Sequence, residues 1–137
     1  MAYWLLKSEP DSWSWRQQVE AGAKGTSWNG VRNHAAKQNL QAMQVGDQAF
    51  FYHSGEGKEI VGIVTIAKPY YPDPTDKTGV FGMVDVRAEK PLKTPVTLAA
   101  IKAEPRLKNM ALVKYSRLSV QPVSEAEWKL VGKMGGV

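Results

Sequence analysis

Two consecutive stretches of the sequence are apolar on both of their alternating faces. The first, "QAFFYHS" at residues 48–54, stays apolar until His53 and Ser54, and the second, "EIVGIVTIA", spans residues 59–67. Successive side chains of a strand point to opposite faces of the sheet, so such strands need cover on both sides. The stretch between them, "GEGKE" at residues 55–59, is typical of a hairpin turn. The sequence therefore predicts two internal strands joined by a hairpin.

Three other stretches predict strands. "AYWLLKS" (residues 2–8) places Trp4, Leu6 and Ser8 on one face, and "LSVQPV" (118–123) places Ser119 and Gln121 opposite Leu118 and Val120. "MVDVRA" alternates between three inward positions and three outward ones, which are Val84, Val86 and Ala88 against Met83, Asp85 and Arg87. By contrast, "KPYYPDPTDKTG" (68–79) contains three prolines and a glycine, and it predicts a long loop within one domain.

Helix signals lie on either side of these strands. Ser14 and Gln17 form a capping box at the start of a short helix that ends near Gly22, and Ser124 with Glu127 forms a second one before a helix that carries Trp128. A further helix is predicted from about residue 33 to residue 43, where positions 33, 36, 40 and 43 share one face. On this pattern the polar side chain at position 33 points the same way as the buried stripe.

Strands and short helices alternate irregularly, which argues against a regular parallel βαβ fold. We expect one α+β domain over residues 1–137. Its sheet is expected to curl into a small β-barrel of about five to six mixed strands, flanked by short helices, because internal strands need cover on both faces.

Composition excludes several classes of function. The chain has no cysteine and only two histidines, so a thiolate nucleophile and a cysteine zinc site are impossible and a metal centre is not expected. No apolar run is long enough to span a bilayer, and charged residues interrupt the N-terminus, so we expect a soluble, cytoplasmic monomer without a cofactor or membrane partner. The net charge of +5 favours polyanionic partners.

Several polar residues fall at the ends of predicted strands and helices, on faces that should be covered. They are Ser8, Asn33, Ser54, Ser119 and Gln121. Buried polar groups need hydrogen-bond partners, so this set either forms an internal network or receives a ligand. From the residues alone, both interpretations stay open.

The segment "SWNGVRNHAAKQN" at residues 27–39 combines an aromatic ring with polar groups at a helix entrance. Trp28 follows "GTS" in a turn that Gly30 makes possible, and an aromatic on a loop beside amides and hydroxyls is how proteins hold a nucleobase. Arg32 lies just before the helix, whose N-terminus attracts anions. A surface salt bridge is the alternative for Arg32.

Catalytic signals are weak. Ser8, Glu9, Tyr52, His53 and Ser54 contain the residue types of a hydrolytic triad, but no "GxSxG" elbow is present, and His53 and Ser54 point to opposite faces of a strand. We therefore expect a protein that is not an enzyme.

Six blocks occur in the order in which EVE domains carry them, and they cover nearly the whole chain. The blocks are "YWLLKSEP", "WNGVRNHAAKQNLQAM", "VGDQAFFYHS", "GIVTIAKPYYPD", "MVDV" and "LKNMALVKYSRLSVQPV". The chain thus resembles EVE domains, which belong to the PUA-like superfamily with YTH and ASCH domains. The resemblance implies a small barrel with a side pocket for one flipped, modified base, either a modified cytosine in DNA or a modified base in RNA.

Carried over residue by residue, the resemblance implies a base pocket of eleven residues. They are Ser8, Glu9, Trp28, Val31, Asn33, Tyr52, His53, Ser54, Leu118, Ser119 and Gln121. Arg32, Lys37 and Arg117 are the expected contacts to backbone phosphates. Two features depart from the family pattern: His34 stands where a tyrosine is usual, and the loop at residues 72–79 is short.

Two other functions remain as alternatives. A PUA-like amidohydrolase acting on an acylated nucleobase or nucleoside would use Glu9 for acid–base chemistry, with Lys7 or Lys58 nearby. A peptide-binding adaptor would use the same groove for a protein segment.

Overall fold

A computed structural model describes all residues from Met1 to Val137. The strands are β1 (Tyr3–Ser8), β2 (Thr26–Ser27), β3 (Gln48–His53), β4 (Glu59–Pro72), β5 (Gly82–Thr97) and β6 (Val120–Val123). The α-helices are α1 (Trp15–Glu20), α2 (His34–Ala42), α3 (Leu98–Ala103), α4 (Ala111–Lys114) and α5 (Glu125–Met134). Short 3₁₀ turns occupy Gly22–Lys24 and Pro105–Leu107. No helix has the length and apolar character needed to cross a membrane.

The six strands form one mixed sheet in the order β2-β5-β4-β3-β1-β6. Strand β1 is parallel to β3, and every other pairing is antiparallel. Helix α2 packs against β6 at one edge and also against β4 and β5 near the other edge. One helix reaches both ends only if the sheet curls around it, so the predicted α+β barrel is confirmed. Strands β3 and β4 are internal, as predicted.

The sheet separates two hydrophobic cores. The α2-side core lies within the curl and includes Leu6, Trp28, Leu40, Phe51 and Val86. The α5-side core lies on the other face, where α3, α4 and α5 cover neighbours of these residues in the strands, including Leu5, Phe50 and Ile63. Leu5 and Leu6, like Phe50 and Phe51, are completely buried although they point to opposite faces. This double burial is why β1 and β3 are apolar throughout.

Both predicted capping boxes are present. Ser14 caps α1 with Gln17 reaching back, and Ser124 caps α5 with Glu127 reaching back. Helix α5 is anchored by Trp128, whose ring stacks on Phe50 with centroids 4.0 Å apart. The caps fix where each helix begins, and the aromatic contact fixes how α5 lies on the sheet.

Helix α1 is held by one aromatic ring in a gap left by a glycine. The Trp15 ring meets Phe51 edge to face at 5.3 Å. A Cβ placed on Gly62 of β4 would lie 2.4 Å from the Trp15 ring, so only glycine leaves room for it. The close approach of ring to backbone explains a glycine in the middle of a strand.

Two predictions about β4 and β5 are wrong, one about where the loop between them begins and one about which side chains face outward. The expected loop at 68–79 begins later, because β4 continues to Pro72 and pairs with β5 as far as Gly82. Met83, predicted to face outward, is only 5% exposed. Register shifts in the β4–β5 pairing between Ile66 and Tyr71 break the simple two-residue alternation on which that expectation rested.

Candidate functional site

Two segments of the chain face each other across an open cleft of about 430 Å³, which we call the tryptophan cleft. One wall is the end of β1 with the turn that follows, and the other is β2 with the residues after it. The lining residues are Lys7, Ser8, Glu9, Ser12, Trp13, Thr26, Ser27, Trp28 and Asn29. Two flat aromatic rings therefore stand among hydroxyl, amide, ammonium and carboxylate groups.

The first wall is a turn whose hydrogen bonds fix the ring of Trp13. The Ser8 hydroxyl donates to the Trp13 carbonyl at 2.5 Å, and the Trp13 backbone N–H donates to the Glu9 carbonyl at 2.9 Å. The indole Nε1 of Trp13 donates to Gln18 Oε1 at 2.9 Å. Gln18 is completely buried and its Nε2 donates to the Val86 carbonyl at 3.3 Å. A buried amide thus orients a partly exposed ring.

The second wall is dominated by Trp28, which is more buried than the sequence suggested. The residue is 8% exposed and belongs to the α2-side core, although we expected it to stand in a turn away from any apolar stripe. Its ring meets Phe51 edge to face at 5.5 Å, and its backbone N–H donates to the Val84 carbonyl at 2.7 Å. Trp28 presents only a small part of its ring to the cleft because β3 and β5 hold the rest.

Arg32 is partly exposed and forms an intramolecular ion pair. Its Nη1 pairs with the buried Asp73 carboxylate at 3.1 Å, and its Nη2 donates to the Thr75 hydroxyl at 2.9 Å. The same carboxylate accepts from the Gly30 backbone N–H at 2.8 Å and from the backbone N–H and hydroxyl of Thr75. Burial alone would raise the pKa of Asp73, but the hydrogen bonds outweigh it and lower the pKa to about 2. The salt-bridge alternative for Arg32 is therefore the one observed, with a buried partner.

Gly30 has φ +81°, so the predicted tight turn after Trp28 is confirmed. Together with Arg32 and Asp73 it forms what we call the Asp73 clamp. The clamp ties the segment after Trp28 to the loop after β4.

Asn33 caps α2 and does not join its buried face. Its backbone is extended (φ −112°, ψ 133°) and its Oδ1 accepts from the Ala36 N–H at 2.9 Å. The helical spacing that placed it with Leu40 does not apply to a residue outside the helix, so that prediction is wrong. Asn33, Arg117 and Leu118 instead line a shallow concavity of about 530 Å³, which we call the α2 cleft. Lys37 lies partly exposed on α2, and His34 is exposed beside the Phe81 ring.

Tyr52 and Ser54 line a third concavity of about 300 Å³, which also contains Lys7, Lys58 and Lys102. We call it the lysine pocket. It shares Lys7 with the tryptophan cleft and Ser116 with the α2 cleft. The Lys7 ammonium donates to the Ser116 carbonyl at 2.7 Å, so one hydrogen bond stands where the three concavities meet.

Four of the expected pocket residues line none of these concavities. They are Val31, His53, Ser119 and Gln121. Val31 is in the α2-side core, the Ser119 carbonyl accepts from the Lys7 backbone N–H at 2.9 Å, and the Gln121 amide donates to the carbonyls of residues 115 and 118. Gln121 is completely buried. The Gln121 amide nitrogen is thus satisfied within the protein, whereas its buried Oε1 has no hydrogen-bond partner.

His53 supports α1. Its Nε2 accepts from the Trp15 backbone N–H at 3.0 Å, which requires the neutral ring, and Phe51 meets it edge to face. Burial lowers the pKa of His53, against an opposing effect of the Glu59 carboxylate. The ring therefore contributes to the helix cap and not to the tryptophan cleft.

We expect stability to depend on pH through His53. A histidine whose folded-state pKa lies below its ordinary value of 6.5 stabilises the fold above that value, and its contribution is lost as the pH falls through the lower folded-state pKa. Thermal unfolding across this range should show an acid-side loss that is weaker in His53→Gln and unchanged in His34→Gln, which alters the other, exposed histidine. An identical acid-side loss in all three proteins would contradict the assignment.

Trp13 is the site residue that the sequence analysis missed. It carries no apolar periodicity, but it stands two residues before Trp15 in the polar stretch "SEPDSWSW". Both rings pack against the α2-side core, and Trp13 also lines the tryptophan cleft. The same stretch contributes Ser12, and the segment before Trp28 contributes Thr26 and Ser27. Nowhere do three histidine, aspartate or glutamate side chains come together as a metal ion would need.

The sequence matches the EVE domain family over residues 2–134. Thymocyte nuclear protein 1 of Gallus gallus is 36% identical over 94% of this chain, and the chain spans 66% of that relative. The human protein of the same name is 33% identical over 95% of this chain and 72% of its own length.

Solved structures give the same picture. Rpa0253 from Rhodopseudomonas palustris, solved by NMR, has a TM-score of 0.94 and 68% identity, with 99% of this chain and 94% of that chain covered. Human THYN1 in complex with DNA that contains 5-methylcytosine has a TM-score of 0.92 and 32% identity, with 100% and 99% covered. The YTH domain of Zygosaccharomyces rouxii MRB1, solved with N6-methyladenosine RNA, is 17% identical at a TM-score of 0.59, with 98% and 86% covered, and shares the fold alone.

Proposed function

Because the chain belongs to the EVE domain family, we propose that it is a nucleic-acid-binding module that accepts a modified base, flipped out of its strand, in the tryptophan cleft. Family membership confirms the predicted PUA-like fold and the expectation that the protein is a binding module and not an enzyme. The human family member solved with DNA containing 5-methylcytosine supports a modified cytosine as the ligand.

The chemistry of the tryptophan cleft carries the proposal. Trp13 and Trp28 are flat and apolar, and the side chains of Ser12, Ser27 and Asn29 make no hydrogen bond within the protein. A ligand with a flat face and a polar edge satisfies both sets of groups at once, and a nucleobase has this shape. The cleft volume of about 430 Å³ lies within the usual range for small-ligand sites.

Glu9 favours cytosine over thymine. Its side chain stands exposed at the cleft without an ion-pair partner. Carboxylates accept hydrogen bonds from the exocyclic amino group of cytosine, which thymine lacks. We infer that Glu9 reads this amino group while Trp13 supplies most of the stacking face, because Trp28 is largely covered.

The free energies of base flipping, stacking and hydrogen bonding predict a modest affinity for nucleic acid. Flipping a base costs a few kcal/mol, and less in single strands or damaged pairs. Stacking contributes about 1–3 kcal/mol, and each hydrogen bond adds about 0.5–1.5 kcal/mol, so base recognition roughly offsets the cost of flipping. Net affinity then depends on contacts to phosphates, for which the charge of +5 is suited, and it should fall with salt.

Binding to matched oligonucleotides tests the proposal. Single and double strands carrying cytosine, 5-methylcytosine or 5-hydroxymethylcytosine at one position should differ in fluorescence anisotropy, with a modified base bound more tightly. Trp13→Ala and Glu9→Gln should each weaken binding to the preferred strand by about tenfold, which corresponds to about 1.4 kcal/mol. Glu125→Gln, the same change on α5, is the control. Equal binding to all three bases, unaltered by both cleft variants, would refute the proposal.

A further inference from the structure

Three lysines and no carboxylate line the lysine pocket. Lys7 reaches it from β1, Lys58 from the β3–β4 turn and Lys102 from α3. The acidic residue of that turn, Glu56, lines a neighbouring concavity that shares Lys58 and Lys102 with the lysine pocket, and neither lysine forms an ion pair with it. Three like charges around a concavity of about 300 Å³ repel one another, and an anion bound there reduces that repulsion.

The neutral groups of the pocket are also donors without acceptors. The hydroxyls of Tyr52, Ser54 and Ser116 make no hydrogen bond within the protein, and the ammonium groups of Lys58 and Lys102 have no ion-pair partner. By contrast, Lys129 on α5 pairs with Glu125 at 3.3 Å. Only Lys7 uses one of its protons, on the Ser116 carbonyl. A ligand made of acceptor oxygens matches this set of donors.

Two further observations concern how the pocket is held. Burial lowers the pKa of Lys7, so its charge is held partly out of water, where an anionic partner stabilises it more than at an open surface. Lys58 has φ +47° and is the only non-glycine residue of the chain with positive φ. Such a backbone is strained, and its carbonyl is tied to the Leu98 N–H at 2.8 Å.

The lysine pocket lies next to the tryptophan cleft. Lys7 lines both, and the Ser54 backbone N–H donates to the Ser8 carbonyl at 2.9 Å, so the two sites share a rim. We propose that the lysine pocket binds a backbone phosphate of the same strand whose base enters the tryptophan cleft. This inference rests on the proposed function. Arg32 was the contact expected from the sequence, and we infer the lysine pocket in its place because the Asp73 clamp engages the Arg32 guanidinium.

Salt dependence measures the contact directly. The double variant Lys58→Gln with Lys102→Gln keeps the length of both side chains and removes their charges. Its binding to the preferred oligonucleotide should weaken, and the slope of log affinity against log salt should fall by about 0.7 to 0.9, the value for one phosphate. The ratio of affinities for modified and unmodified bases should stay as in the wild type. Lys129→Gln is the matched control and should change neither quantity.

Two outcomes separate this inference from the proposed function. An unchanged slope in the double variant, with base preference intact, overturns the lysine pocket and leaves base reading in place. A reduced slope in a protein that never distinguished the bases supports the phosphate contact and overturns base reading.

A titration with inorganic phosphate, at matched ionic strength against chloride, distinguishes a strand from a free anion. Backbone amide shifts of Ser54, Gly55 and Lys58, together with a reduced oligonucleotide slope in the double variant, support the inference. The same shifts with an unchanged slope assign the pocket to a free anion and overturn it.

Discussion

Replacing Trp28 with alanine is expected to lower the free energy of unfolding by about 3–5 kcal/mol, as large-to-small changes at buried aromatics do. The ring is 8% exposed and lies in the α2-side core against Phe51, so its removal leaves a cavity between β3 and the segment that leads to α2. Chemical denaturation of the variant and the wild type measures the difference. A loss below about 1 kcal/mol would show that Trp28 is a surface ring, contrary to its burial.

Trp28→Phe is the matched variant, because it keeps an aromatic edge towards Phe51 and leaves a smaller cavity. Its loss of stability should be less than half that of Trp28→Ala. This has a practical consequence for binding assays: lost affinity in Trp28→Ala reports a damaged core as well as a missing contact, whereas Trp13 is partly exposed and its replacement is the cleaner test of the cleft.

Asp73→Ala is expected to destabilise the protein by about 1–3 kcal/mol, the usual cost of leaving buried hydrogen-bond donors without an acceptor, because the Arg32 side chain is 40% exposed and its charge stays in contact with water. The change leaves the Gly30 N–H, the Thr75 N–H and the Arg32 guanidinium without the carboxylate that they share. Denaturant unfolding at neutral pH measures the loss. The double variant Asp73→Ala with Arg32→Ala should be destabilised by less than the sum of the single changes, because the two side chains interact directly.

The pH dependence of this effect has a definite sign. The pKa of Asp73 is lowered from 3.8 to about 2, so its contribution is fully present above 3.8 and is lost as the pH falls through about 2. The difference between wild type and Asp73→Ala should therefore shrink over that interval. A difference independent of pH would show that the carboxylate charge is not what stabilises the clamp.

The fold was predictable where local chemistry and burial agree. Capping boxes are short-range hydrogen-bond patterns, so Ser14 with Gln17 could be recognised without tertiary information. The double-sided burial of β3 was equally evident from its composition. The far end of β4 was not, because Pro69 and Pro72 belong to the stretch that predicted a loop at residues 68–79. Beyond the reach of β3 this strand has only one partner, and such free edges tolerate proline.

The site was predictable in part. Ser8, Glu9 and Trp28 meet in one cleft as expected, while Tyr52 and Ser54 fall in the lysine pocket. The alternation of side chains along a strand shows which residues share a face, but it does not show which loops meet above that face. Trp13 was missed for this reason, since the buried Gln18 that orients it has no sequence signature. That the protein is a cytoplasmic monomer stays a prediction.

The order of elements along the chain differs from their order in space. Strand β1 lies between β3 and the late strand β6, and the residues that hold Trp13 and Trp28 in place reach as far as Val86. At roughly 5–20 residues per second of ribosomal synthesis, Trp13 and Trp28 are synthesised on the order of seconds before the β5 residues that hold them in place. The walls of the tryptophan cleft are therefore not held in place until β5 has emerged, and the sheet is incomplete until β6 follows.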